Sequence, residues 1–106
     1  MGAWGVGIFE NDDALDIRDC FRRHARKGLS VEEITQKCMA DYPDPMNDVS
    51  VVLALTALQM EQGRLMPDIR KRALRMIDEQ QGIESWREPE KRMRELLVFR
   101  EKLLRF

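Results

Sequence analysis

Between Val49 and Met60 nine of twelve residues are apolar and none is charged. A helix of that composition has no polar face to offer water, so it belongs at the centre of a fold with other elements packed around it. Val49, Val51 and Val52 are β-branched and would suit a strand start. Ala54, Leu55, Ala57, Leu58 and Gln59 favour helix instead. Asn47 or Asp48 caps this segment, and Gly63 ends it. The stretch is well short of the roughly 20 residues a membrane span needs.

The flanking segments supply what a central helix requires. Asn11 or Asp12 caps a first helix, with Asp13 and Asp16 near its positive end. Ala14, Ile17, Phe21 and Ala25 give it an apolar stripe, and Gly28 closes it. Ser30-Val31-Glu32-Glu33 is a capping box for a second helix running to about Tyr42. Pro43 and Pro45 then forbid continuation. Pro67 opens a fourth helix with Ile69, Ala73, Met76 and Ile77 inward, ending at Gly82. Trp86 lies in a connection. Pro89 opens a fifth helix, whose Met93, Leu96, Leu97, Leu103 and Leu104 recur at helical spacing. Residues 1–106 thus read as one all-α domain of about five helices, a compact bundle or stacked hairpins. Residues 1–11 form an irregular arm rich in glycine and aromatics, ahead of the bundle at 12–106.

The formal net charge of −1 over 106 residues conceals alternation. Residues 17–30, 64–77 and 91–106 each carry +4, whereas 1–16, 31–48 and 78–90 each carry −4. Acidic helix starts and basic helix ends account for much of this. A uniformly basic coat for nucleic acid is excluded. A basic face is not: Arg22, Arg23, Arg26 and Lys27 on one helix, with Arg64, Arg70, Lys71, Arg72 and Arg75 on or near another, make one acidic-partner surface if the helices lie side by side. Nucleic acid is the weaker fit, because aromatics that stack bases are scarce among these residues.

Little here spells out chemistry. Cys20 and His24 stand four apart and share a helix face, the beginning of a nucleophilic pair, but no third orienting group can be assigned. With Cys38 they give three zinc-type donors at spacings of 4 and 14, which match no paired-cysteine pattern. Asp12, Asp13 and Asp16 lack the glycine and closing glutamate of a calcium loop. Gly5-Val6-Gly7 begins like a dinucleotide fingerprint and lacks its third glycine. No cofactor, metal or catalytic constellation is therefore expected. Two cysteines are too few for a disulfide scaffold, and with no secretory leader a reducing cytoplasm is the expected compartment.

The opening segment is the most distinctive. Trp4, Gly5, Gly7, Phe9, Asn11 and Asp12 suggest an arm that lays aromatics onto the helices, with glycines permitting close approach. Met1–Asp12 resembles the start of an uncharacterised bacterial family, a domain of unknown function opening M-G-x-W-G-x-G-x-F-x-N-D. Val31–Ile34, Asn47-Asp48, Leu53–Gln59, Trp86 and Glu90–Arg92 extend the likeness. Related sequences often carry a tryptophan in the central helix where this chain has Gln59-Met60. The resemblance implies a small bacterial cytoplasmic helical protein and brings no reaction or cofactor. By analogy, such proteins serve as immunity or accessory partners in toxin and defence systems. The expectation is a non-enzymatic protein-binding module with an acidic partner, contacted by Arg22, Arg23, Arg26, Arg70, Lys71, Arg72 and Arg75. A nucleic-acid accessory or a Cys20–His24 enzyme are the alternatives. Val98, Phe99 and Phe106, off the main stripe of helix five, allow pairing of two chains.

Overall fold

The computed structural model describes residues 12–79 and 89–106. In chain order its elements are α1 (Asp12–Arg26), α2 (Val31–Met39), a 3-10 turn (Pro45–Asn47), α3 (Val49–Glu61), α4 (Pro67–Asp78) and α5 (Pro89–Arg105). There is no strand among the described residues. The arm residues Trp4, Gly5, Gly7, Phe9 and Asn11, together with Gly82 and Trp86, lie outside the described residues.

Local chemistry sets the helix ends. Ser30 Oγ accepts from the Glu33 amide at 3.1 Å, and Glu33 Oε1 accepts from the Ser30 amide at 3.0 Å. That amide holds the Glu33 carboxyl below its ordinary range. Asp48 caps α3 by accepting from the Val51 amide at 3.3 Å, while Asn47 closes the 3-10 turn. Asp12 is the first residue of α1. Helix two stops at Met39, three residues short of Tyr42. Ala40 keeps helical backbone angles as the cap, and Pro43 bars helical geometry at Tyr42, so the helix cannot run on to it. Gly28 and Gly63 take φ of 82° and 77°, the left-handed exit that side chains with a Cβ resist.

α3 stands at the centre, as its composition requires. Val51 to Met60 are all buried. Val52, Leu53, Ala57 and Met60 pack with Ala73, Met76 and Ile77 of α4 and Leu96, Phe99 and Leu103 of α5. Val51, Ala54, Leu55 and Leu58 pack with Ala14, Ile17 and Phe21 of α1, Ile34 and Cys38 of α2, and Ile69 of α4. One helix therefore serves two cores, one on each side.

Its two buried polar side chains are satisfied in place. Thr56 Oγ1 donates to the Val52 carbonyl at 2.7 Å. Gln59 is fully buried, donates from Nε2 to Thr35 Oγ1 at 2.9 Å and accepts from the Met66 amide at 2.9 Å. It thereby ties α2 and the start of α4 to the central helix.

Helix five corrects the expected stripe. Leu96, Phe99 and Leu103 are the buried positions, whereas Leu97 and Leu104 are 49% and 44% exposed. The i, i+3, i+7 frame that includes Phe99 buries the larger side chain, and rotating the helix to it turns Leu97 and Leu104 outward. Phe99 is thus core rather than part of a pairing surface. Val98 and Phe106 remain exposed.

Candidate functional site

α1 and α2 bring together the three residues whose spacing matched no motif. Cys20 and His24 are one turn apart on α1, and Cys38 is on the last turn of α2. Packing of Ile17 and Phe21 against Ile34 fixes how the two helices meet. Their donor atoms all lie within 4.8 Å of one another. Cys38 Sγ is 2.8 Å from Cys20 Sγ, and His24 Nδ1 is 3.6 Å from Cys20 Sγ. The same Nδ1 is 2.9 Å from the Cys20 carbonyl oxygen. With its proton on Nδ1 the ring donates to that carbonyl; in the other tautomer Nδ1 offers a lone pair toward the sulfurs.

The sulfurs face a cavity of about 340 Å³, lined by Asp13, Asp16, Ile17, Cys20, Cys38, Asp41 and Tyr42. Asp16, Cys20 and His24 follow one another at successive turns of α1, so one helix face carries a carboxylate, a thiol and an imidazole in sequence. Burial pushes the Cys38 thiol well above the ordinary thiol range, and Cys20 adds to this, while Arg23 opposes it. Burial, and the carboxylates of Asp13, Asp16, Asp48 and Asp41, likewise raise the Tyr42 phenol. The site is a thiol pair at the floor of an anionic mouth.

The basic candidates divide between two places. α3 stands between α1 and α4, each of which packs on it. On α1, Arg22 pairs with Glu61 at 3.6 Å, and Arg23 and Arg26 are exposed. On α4, Arg72 turns to the 3-10 turn, donating to the Met46 carbonyl at 2.8 Å and to Asn47 Oδ1 at 2.5 Å. Arg70, Lys71 and Arg75 line a groove of about 710 Å³ with Leu65, Pro67, Leu74, Asp78 and Glu79. Arg75 pairs with Glu79 at 2.9 Å. Among the described residues, neither Arg70 nor Lys71 has an ion-pair partner. Arg64 is drawn away to Glu32 on α2, and its guanidinium holds that carboxyl below its ordinary range. Sequence reasoning identified the α4 cations and missed their apolar floor, because Leu65 and Leu74 come from two segments.

The fold defines a small all-α domain with a buried central helix. The chain belongs to the family described as domain of unknown function (DUF4259), whose family model matches residues 2–101. No curated protein and no solved structure matches it. No helix among the described residues is long and apolar enough to cross a membrane.

Proposed function

We propose that this protein is a non-enzymatic binding module that docks an acidic segment of another protein along α4. The observation that carries this is the groove in which Leu65, Pro67 and Leu74 form an apolar floor beside Arg70, Lys71 and Arg75. An apolar floor seats an anchoring side chain, and cations along its rim select acidic flanks and speed encounter. Arg70 and Lys71 have no competing intramolecular ion pair among the described residues, so their charge is available to a partner. Nucleic acid suits this groove less well, since among the described residues no aromatic lines it to stack on a base.

Selection of random twelve-residue peptides against the purified protein tests the proposal. The expected winners carry a Leu or Phe flanked by Asp and Glu. Their binding weakens with salt and falls at least tenfold in an Arg70→Glu/Lys71→Glu variant. Failure to enrich such peptides, or binding indifferent to that charge reversal, overturns it. A salt-sensitive mobility shift of DNA or RNA lost in the same variant would instead establish the nucleic-acid reading.

A further inference from the structure

We propose that Cys20, His24 and Cys38 form a binding site for a thiolate-seeking divalent metal ion of the zinc class, with the fourth coordination position facing the acidic cavity. Zinc takes sulfur at about 2.3 Å and imidazole nitrogen at about 2.0–2.1 Å in tetrahedral geometry. Those lengths put a sulfur and a nitrogen about 3.6 Å apart across one tetrahedral edge, and two sulfurs about 3.8 Å apart. The observed Cys20 Sγ–His24 Nδ1 separation is 3.6 Å. The sulfurs, at 2.8 Å, need to part by about 1 Å, which rotation about the Cα–Cβ bond of Cys38, itself on the cavity wall, supplies while the Cys20–His24 separation stays as it is. A disulfide would account for the approach of the two sulfurs but not for an imidazole nitrogen set 3.6 Å from one of them.

The donor set suits the charge as well. Binding releases both thiol protons, so two thiolates balance the ion's two positive charges and the imidazole ligates as a neutral ring. His24 does this by placing its proton on Nε2 and giving up the bond to the Cys20 carbonyl. The fourth position takes water or one of the cavity carboxylates, of which Asp16 lies one turn from Cys20. Two sulfurs and a nitrogen favour zinc over magnesium or calcium, which seek oxygen.

Titration with Co²⁺, a spectroscopic stand-in for zinc, tests this under reducing conditions. One equivalent is expected to produce a thiolate charge-transfer band and intense tetrahedral visible bands. Either ion binding to the metal-free protein should release about two protons near neutral pH, and zinc should then displace the cobalt stoichiometrically with no further proton release. His24→Ala and Cys20→Ser, at half-buried positions, should each weaken zinc binding at least tenfold with the far-ultraviolet dichroism unchanged. Asp19→Asn, outside the cavity, should leave binding unchanged. Bound zinc should also slow oxidation of the thiols by air at least tenfold. A cobalt spectrum without a thiolate band, zinc affinity indifferent to Cys20→Ser, or a Cys20–Cys38 disulfide that forms equally fast with and without zinc would each overturn the assignment.

Discussion

Replacing Gln59 by Leu removes one side chain's hydrogen bonds while nearly preserving its volume. The side chain is wholly buried and joins three segments through Thr35 Oγ1 and the Met66 amide. The Met66 amide heads α4 and loses its partner on the buried side of the helix start, which costs about 1–3 kcal/mol. The Thr35 bond adds about 0.5–1.5 kcal/mol. Leucine returns about 1 kcal/mol through its extra apolar surface. The net expectation is a loss of about 0.5–3.5 kcal/mol, centred on about 2 kcal/mol, which at the centre is a fall in Tm of roughly 8–16 °C for a domain this size. Urea unfolding should show a lower midpoint at an unchanged m-value. A double-mutant cycle with Thr35→Val should give a coupling of at least about 0.5 kcal/mol, because one bond is counted twice in the single variants. A Gln59→Leu variant within about 0.5 kcal/mol of the parent, or a cycle with no coupling, would refute the account of Gln59 as a strut.

Four further outcomes follow from the same geometry. Gly63→Ala should cost about 1–2 kcal/mol in urea unfolding, because nothing crowds the added Cβ and the penalty comes from φ of 77° alone. Arg72→Ala should destabilise the protein by about 1–2 kcal/mol through the freed Met46 carbonyl and Asn47, whereas Arg70→Ala should change stability by less than about 0.5 kcal/mol; calorimetry separates the two. Alkylation followed by mass spectrometry should modify Cys20 before Cys38, since Cys38 is 1% exposed and its thiol resists ionisation. The raised folded-state pKa of Cys38 also means that the stability it brings persists below the ordinary thiol range. It is lost as pH rises above that range, and Cys38→Ala should flatten the alkaline limb.

What was readable in the sequence is what neighbours in the chain decide. The Ser30–Glu33 box, the Asp48 cap and the glycine exits at 28 and 63 depend on residues within one turn, and each stands where the spacing put it. Val49–Met60 declared its own burial because no register of it has a polar face. Helix five did not, since Leu97 and Leu104 repeat at seven just as Leu96 and Leu103 do. Phe99 decided between the frames by what α3 and α4 could accommodate. The three donors of the thiol site were named in the sequence and set aside on their spacing, for a related reason. Metal patterns in sequence describe ligands held by one short loop, whereas the distance between Cys20 and Cys38 is set by how α1 crosses α2. Gln59 pairs with residues 24 positions before it and 7 after, and no local rule names either.

The division of α3 between two cores has a consequence for how the protein opens. Its backbone amides can reach solvent only if helices on both sides depart, so they should exchange with deuterium through unfolding of the whole domain. Loss of α5 alone would bare Val52, Leu53, Ala57 and Met60 and leave a sticky intermediate rather than a smaller folded unit. The same arrangement makes α3 a shared load between the thiol site on one side and α5 on the other. Tightening α1 and α2 around a ligand should therefore raise protection factors across α4 and α5, far from any contact with that ligand.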